Sequence, residues 1–218
     1  MKGVKMKYLI AIPCMDSVAT GFAEALLNLE KPEGTKVCFK TGSLIYDARN
    51  LLSLTAIQGG FDRVLWLDSD IKMPPDALVR LARDMDVTEA DMVTGVYYKR
   101  KLPTAPVVYE SVAPPKKVNG QMIAQVPCYE NYPKDSLFRI GACGFGCVMT
   151  SVRLLKNLWD AYGPPFSPVM WAGEDISFCW QAKKVNAEIY CDSRVMCGHI
   201  GTVTYGEWMA EKKGVSNE

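Results

Sequence analysis

Two aspartates separated by one residue follow the most apolar strand-like segment of the chain. Residues 63–67 (RVLWL) are typical of a strand covered on both faces of a parallel sheet, and Asp68-Ser69-Asp70 comes directly after them. Ligands of open α/β sheets bind at the carboxyl ends of strands, where two carboxylates suit a hard divalent cation and substrate phosphates. Asp-Ser-Asp is also a common turn sequence, but its place between a buried strand and the Pro74-Pro75 helix start favours a metal site.

Glu174 and Asp175 form a second acidic pair, at the predicted start of a helix over residues 174–185. Acidic residues in a first helical turn stabilise the helix by complementing its dipole. The alternative is chemical, with one carboxylate acting as a general base in a cleft and the other orienting it. The residues alone favour neither interpretation.

His199 is the one histidine of the chain and lies between two glycines, in a predicted loop after a strand over residues 187–191. A lone histidine is often a hydrogen-bonded structural residue, but the loop at a strand end is also where functional side chains are presented. With Asp68 and Asp70 it would complete a mixed carboxylate and imidazole site, which suits Mn²⁺.

Arg49 and a glycine-rich segment are the remaining candidates. Arg49 can clamp a phosphate or carboxylate with two hydrogen bonds; the alternatives are a solvated helix surface or an ion pair with Asp47 or Asp62. Residues 141–146 (GACGFG) have neither GxGxxG spacing after a first strand nor a GK[ST] ending, which excludes a Rossmann or P-loop site. We expect the small residues around Gly144 to allow close backbone approach to a ligand.

Strands and helices alternate along the chain, which predicts a single α/β domain with a mostly parallel central sheet flanked by helices. Apolar segments predict strands at residues 7–13, 35–40, 63–67, 91–98, 106–109 and 187–191. Helical spacing predicts helices at residues 20–29, 43–58, 74–85, 151–161 and 174–185, with Ser151 as an N-cap. Residues 112–133 are predicted to form a hairpin or a mobile loop.

The composition excludes several classes of protein. With 25 Lys and Arg against 24 Asp and Glu, the chain has no charge surplus for a general nucleic-acid or anionic-membrane binder. The basic clusters at residues 99–101, 116–117 and 183–184 are predicted to be solvated surface. No apolar run approaches the roughly 18 residues of a membrane span. The eight cysteines lack a CxxC pair and are predicted to be reduced core thiols of a cytoplasmic protein.

Taken in order, these segments resemble the family 2 glycosyltransferases of the GT-A fold over nearly the whole chain. The matching pieces are AIPCMD, YDARNLL, VLWLDSDIKMPPDAL, the glycine-rich strand GACGFGCVMT, and GEDISFCWQAKKVNAEIY with its following histidine. The segment GVYYKRKLPTAPVVYE resembles a subgroup often carried by phages and prophages, for which the location would be the host cytoplasm. The resemblance implies one GT-A domain over residues 1–218, with a nucleotide-sugar-binding half (1–98), an acceptor and catalytic half (99–205) and a polar tail (206–218).

This resemblance implies transfer of a sugar from a nucleotide-diphosphate sugar to an acceptor hydroxyl with inversion. The donor that it favours is a UDP-sugar. Asp175 is then the catalytic base, with Glu174 beside it. Mn²⁺ or Mg²⁺ is implied on three side chains, those of Asp68, Asp70 and His199. Donor contacts are implied for Pro13, Met15, Asp16, Arg49, Asp68, Ser69 and Gly144.

The sequence departs from the family at two positions and leaves the acceptor open. Gln181 replaces an arginine expected to support the acidic pair, and Asn186 replaces a glycine. The acceptor is a glycan, a protein, a small molecule or a modified DNA base, and the oligomeric state is not predicted. One alternative is a sugar-nucleotide nucleotidyltransferase, but the glycine-rich basic loop typical of that class is missing after the first strand. The other alternative is a non-catalytic nucleotide- or sugar-binding module. The acidic pair Glu174-Asp175, together with Asp68, Asp70 and His199, argues against it.

Overall fold

Strands and helices alternate in the computed structural model of the chain, which describes residues 6–169, 171–201 and 204–209. The helices are α1 (Thr20–Asn28), α2 (Ile45–Gln58), α3 (Ala77–Thr88), α4 (Val152–Tyr162) and α5 (Glu174–Lys184). The strands are β1 (Tyr8–Pro13), β2 (Lys36–Lys40), β3 (Arg63–Leu67), β4 (Ile71–Lys72), β5 (Met92–Val96), β6 (Val108–Tyr109), β7 (Ala113–Val118), β8 (Gln121–Gln125), β9 (Leu137–Arg139), β10 (Ala142–Cys143), β11 (Cys147–Ser151), β12 (Ile189–Met196), β13 (Gly198–Ile200) and β14 (Thr204–Tyr205). Of the predicted polar tail, residues 210–218 lie outside the described residues.

Seven strands form one central sheet in the order β2-β1-β3-β11-β5-β12-β9. β2, β1, β3, β5 and β12 point in one direction, whereas β11 and β9 run antiparallel to their neighbours. The prediction of an α/β fold with a mostly parallel sheet is therefore confirmed. Strands from both predicted halves of the chain belong to this sheet, because β5 pairs with β11 and with β12.

Both faces of the sheet are covered by helices, and the alternation of side chains along the central strands explains why. In β3, Trp66 lies in an apolar cluster with α2, α4 and α5, whereas Leu65 lies in a second cluster with α1 and α3. In β1, Leu9 and Ile10 divide in the same way. Each of these four side chains is at most 1% exposed, as a strand buried on both faces requires.

Local backbone signals in the sequence are confirmed at three places. Residues 112–133 contain the β7–β8 hairpin, whose turn residues Asn119 and Gly120 both have positive φ, as a two-residue hairpin turn demands. Ser151 caps α4, because its Oγ accepts a hydrogen bond from the Leu154 N–H at 3.0 Å. Asn186 has φ of 58° after α5, the left-handed conformation that asparagine tolerates in place of glycine.

Three predicted elements are wrong in detail. The glycine-rich strand over residues 141–150 is divided, because β10 ends at Cys143 and β11 begins at Cys147. His199 lies in β13 rather than in a loop, directly opposite Ile71 of β4. β12 also continues to Met196, five residues beyond the predicted strand end. The pairing of β13 with β4 brings the histidine beside the two aspartates.

The cysteines form no disulfide with one another. Six of the eight are buried, as predicted for core thiols, whereas Cys38 and Cys128 are only partly buried. Within the described parts of the chain, no helix combines the length and the apolar character needed to cross a membrane.

Candidate active site

A cavity of about 300 Å³ opens where β1 and β3 end, at the edge of the sheet where open α/β proteins bind ligands. Six of the residues proposed from the sequence line it: Pro13, Met15, Asp68, Ser69, Asp70 and His199. The sequence analysis did not identify the other lining residues, which are Cys14, Ser43, Ile45 and Arg100. The cavity therefore gathers segments that lie far apart in the chain.

The turn after β3 directs its two carboxylates differently. The Ile71 N–H donates to the Asp68 carbonyl at 3.1 Å, so residues 68–71 form a tight turn. The Ile200 N–H donates to the Asp70 carbonyl at 2.7 Å, which ties this turn to β13. As a result Asp70 faces His199, whereas Asp68 faces the helix α2.

Arg49 connects the two acidic pairs through its guanidinium group. Nη2 contacts Asp68 Oδ1 at 2.6 Å, and Nη1 forms an ion pair with Glu174 Oε1. Only 3% of the arginine side chain is exposed, and the guanidinium lies 5.4 Å from the Phe145 ring centroid. Neither sequence-based alternative for this residue is correct, because Arg49 is buried and pairs with neither Asp47 nor Asp62.

Arg49 also supplies the positive charge that the acidic pair was expected to lack, because Gln181 stands in place of a supporting arginine. Gln181 is buried, and its Nε2 is 3.4 Å from Ser177 Oγ, one turn back along α5. Glu174 nevertheless has a buried cationic partner, because α2 supplies Arg49 from across the site. The acidic pair is therefore charge-compensated from a different element.

Burial and the neighbouring charges shift the pKa values of both central aspartates upward. For Asp68, burial and the Asp70 charge raise the pKa more than the Arg49 charge and hydrogen bond lower it. For Asp175, burial and the Glu174 charge raise the pKa, against the hydrogen bond that Oδ1 accepts from the Ile176 N–H at 2.7 Å. A carboxylate with a raised pKa at a helix start is a suitable proton acceptor.

The hydrogen bonds of His199 fix which ring nitrogen faces the cavity. Nδ1 lies 2.8 Å from the Tyr98 carbonyl, which can only accept, so Nδ1 carries the proton of the neutral ring. The Tyr97 ring packs against the imidazole edge-on, with centroids 5.4 Å apart. Nε2 therefore points toward Asp70 Oδ2, 3.6 Å away.

This arrangement allows a test of whether the residues fit a divalent cation. In the neutral tautomer with its proton on Nδ1, His199 Nε2 and Asp70 Oδ2 are both acceptors, which suits a cation that both bind, and a carbonyl on Nδ1 is the usual support of a ligating histidine. Asp68 is held by Arg49, and among the described residues no three His, Cys, Asp or Glu side chains form a group that would hold a metal ion. Asp70 and His199 fit the cation, whereas Asp68 contacts Arg49 through its Oδ1.

Three sequence-predicted donor contacts do not line the cavity. Arg49 is buried between Asp68 and Glu174. Asp16 is exposed beyond the end of β1. Gly144 is buried, and a Cβ at this position would overlap the Tyr97 hydroxyl and the Val107 side chain. The need for glycine at residue 144 thus follows from packing within the protein.

The basic clusters are only partly solvated. Arg100 is exposed but also lines the cavity, where its Nη1 contacts Asp70 Oδ2 at 2.8 Å. Lys99 Nζ lies 5.6 Å from the Tyr109 ring centroid, and Lys184 Nζ lies 3.4 Å from that of Trp180. Arg100 and Lys184 are exposed, as predicted, whereas Lys99 is only partly exposed.

Comparison with solved structures identifies the fold. A197 from STIV superposes with a TM-score of 0.66 at 16% identity, over 90% of this chain and 86% of that one. GalNAc-T7, solved with UDP, GalNAc and Mn²⁺, gives a TM-score of 0.57 at 10% identity, over 98% of this chain and 46% of that one. TarS 1–349 from S. aureus, solved in complex with UDP, gives 0.52 at 19% identity, over 85% of this chain and 57% of that one.

These similarities, with the sheet order and the position of the cavity, define an α/β protein of the GT-A fold. The chain spans about half the length of the GalNAc-T7 and TarS chains it matches. No protein-family model matches the sequence, and comparison with curated proteins finds no match. At these identities the structural similarity shows the fold alone.

Proposed function

We propose that the chain is a glycosyltransferase that transfers a sugar, with inversion, from a UDP-sugar to an acceptor hydroxyl. The single observation that carries the proposal is the cavity at the ends of β1 and β3, which holds a carboxylate pair and a histidine close to the base candidate on α5. The resemblance to family 2 and its phage-type subgroup supports the same function. GalNAc-T7 and TarS, which share the fold, were both solved with UDP.

The donor would occupy the cavity between the ends of β1 and β3. Pro13 and Met15 lie on the β1 side, where the resemblance implies contact with the base and ribose. Ser69 lies on the β3 side, between the two aspartates. In this proposal residues 1–98 supply most of the donor site, and residues 99–205 supply Asp175 together with Arg100 and His199.

A divalent cation, Mn²⁺ or Mg²⁺, would be held by Asp70 and His199, with Asp68 as a further ligand. When bound, it would neutralise negative charge on the departing diphosphate. Arg49 has a positioning role in this proposal, because it holds both Asp68 and Glu174 and so sets the distance between the donor and the acceptor side.

Asp175 accepts the proton of the acceptor hydroxyl. The acceptor oxygen forms a bond to the anomeric carbon as the bond from that carbon to the β-phosphate oxygen breaks, and the electron pair leaves with UDP. The raised pKa of Asp175 favours this step, because a more basic carboxylate takes up the proton more readily. Attack from the side opposite the diphosphate inverts the anomeric centre.

The test is the release of UDP from a panel of UDP-sugars, with water as the acceptor because the natural acceptor is open. Asp175→Asn should reduce UDP release by about 10²- to 10⁴-fold, the usual contribution of a general base. UDP affinity, measured by calorimetry, should change less than about threefold, since Asp175 does not line the donor cavity. Chelation of divalent cations should abolish release by the unmodified protein.

Asp160→Asn is the matched control, because Asp160 is an exposed carboxylate on α4. Full UDP release by Asp175→Asn would exclude Asp175 as the base. UDP binding without UDP release, in the unmodified protein and with every donor, would favour a non-catalytic binding module. Formation of a UDP-sugar from UTP and a sugar phosphate would favour the nucleotidyltransferase.

A further inference from the structure

Arg100 occupies the cavity in a position that no sequence motif indicated. Its Nη1 contacts Asp70 Oδ2 at 2.8 Å, and the same oxygen faces His199 Nε2 at 3.6 Å. The arginine side chain is 49% exposed, whereas that of Asp70 is 26% exposed. The guanidinium group therefore lies at the mouth of the cavity, on the carboxylate proposed to hold the cation.

The segment that carries Arg100 is closed at its base. The Lys99 N–H donates to the Ala105 carbonyl at 2.9 Å, and Thr104 Oγ1 donates to the Lys99 carbonyl at 2.6 Å. Residues 100–103 are exposed beyond these bonds. The backbone thus presents Arg100 beside the cavity, where its half-exposed side chain contacts Asp70 and donates a long hydrogen bond to the Ile200 carbonyl at 3.4 Å.

The charges that line the cavity explain why this arginine matters. Among the described residues, the cavity lining contains the carboxylates Asp68 and Asp70 but only one Lys or Arg side chain, that of Arg100. Arg49 is buried, with both ends of its guanidinium group on carboxylates. A nucleoside diphosphate brings further negative charge to this place, so its binding requires cations that the rest of the cavity lining does not supply.

We propose that Arg100 exchanges partners, from Asp70 in the free protein to the diphosphate of the bound donor. The proposal rests on the function proposed above. A half-exposed ion pair is weak, so Asp70 loses little when Arg100 leaves, whereas a guanidinium group binds phosphate oxygens through two parallel hydrogen bonds. Release of Arg100 also uncovers Asp70 for the cation. Arg100 is therefore a donor-binding residue that competes with the cation until the donor arrives.

The exchange predicts opposite effects of one substitution on two ligands. In Arg100→Ala, Mn²⁺ alone should bind about two- to fivefold more tightly, because a weak competing ion pair is gone. UDP in the presence of saturating Mn²⁺ should bind about 10- to 100-fold more weakly, because a charge-assisted contact is lost. The affinity for uridine should stay within about twofold, since uridine has no diphosphate.

Electron paramagnetic resonance of free Mn²⁺ and calorimetric titration of UDP and uridine measure these affinities. Lys101→Ala is the matched control, because Lys101 is an exposed neighbour in the same basic cluster that does not line the cavity. Urea unfolding of both variants should match the unmodified protein, because both residues are exposed.

The outcomes separate this inference from the proposed function. The exchange is overturned if Arg100→Ala leaves UDP affinity unchanged, or if it leaves Mn²⁺ affinity unchanged or weaker. In either case, UDP binding by the unmodified protein leaves the proposed function standing. An equal loss of UDP and uridine affinity also overturns it, because the effect would then not be at the diphosphate. Failure of the unmodified protein to bind UDP with Mn²⁺ overturns both proposals.

Discussion

Replacing Arg49 with methionine removes the cation that joins Asp68 to Glu174. The methionine side chain would fill much of the same space between the aromatic rings of Phe145 and Phe166, which lie 5.4 and 6.0 Å from the guanidinium carbon. Two carboxylates would then lie in the interior without a cationic partner. The substitution tests whether this ion network is needed for the stability of the fold as well as for positioning Asp68 and Glu174.

The cost follows from the burial of the three side chains. Removing one partner of a buried ion pair typically costs about 3 to 5 kcal/mol, because an uncompensated charge remains. Asp68 is 28% exposed and Glu174 16% exposed, so water screens part of the remaining charge. Arg49 Nε is itself buried without a hydrogen-bond partner, and its removal offsets part of the loss. We therefore expect the lower end, about 3 kcal/mol, which corresponds to a drop in Tm of about 6 to 12 °C for a domain of this size.

The penalty should depend on pH in a defined direction. Burial already raises the pKa of Asp68, and Arg49 lowers it, so the arginine's removal raises this pKa further. A carboxyl group whose folded-state pKa lies above its unfolded value stabilises the fold at low pH and loses that contribution as pH rises through the folded pKa. The difference in free energy of unfolding between Arg49→Met and the unmodified protein should therefore be smaller at pH 5 than at pH 7.

Urea unfolding at both pH values measures the free energy of unfolding. Arg80→Met is the control with the same substitution, because Arg80 and Asp76 form a partly exposed pair at the start of α3 that should contribute about 1 kcal/mol or less. An Arg49→Met protein within about 1 kcal/mol of the unmodified one at pH 7 would refute the reasoning, as would a penalty that does not change with pH.

Two further predictions concern other buried groups. The pKa of Asp84 is raised from 3.8 to about 7 by burial and by a hydrogen bond with Asp192 and the charge of that residue, despite the opposing charge of Arg194. The contribution of Asp84 to the free energy of unfolding should therefore fall as pH rises from about 4 to 7. Asp84→Asn should flatten that profile in urea unfolding, and an unchanged slope would contradict the assignment. Gly144→Ala should destabilise the fold by about 1 to 3 kcal/mol, because the added Cβ meets the Tyr97 hydroxyl. An unchanged urea midpoint for Gly144→Ala would show that the surrounding residues move aside at no cost.

The elements of the fold could be predicted because their signals are local. An apolar run such as β3, the helical spacing of α2 and the cap at Ser151 are each contained within a few neighbouring residues. The place of Asp68 and Asp70 at a strand end followed for the same reason, since the strand and its turn are contiguous. The hairpin turn at Asn119 needed only its own backbone preferences.

The partners of the charged residues could not be predicted in this way. Arg49 and Glu174 are 125 positions apart, so no window of sequence contains both. His199 was expected in a loop, because a three-residue strand has no pattern of its own and forms only when β4 lies beside it. Arg100 looked like solvated surface for a similar reason, since three consecutive basic residues are alike until the fold brings Asp70 to one of them.

The sequence by itself determined which side chains are available for chemistry and at the ends of which elements they lie. A carboxylate pair after a buried strand and an acidic pair at a helix start follow from hydrophobic patterning and helix-start signals, which act over a few residues. Only the tertiary structure decided which charges meet, because the sheet order and the packing of helices and loops around the sheet set those distances. Arg49 between Asp68 and Glu174, and Arg100 on Asp70, are consequences of that packing.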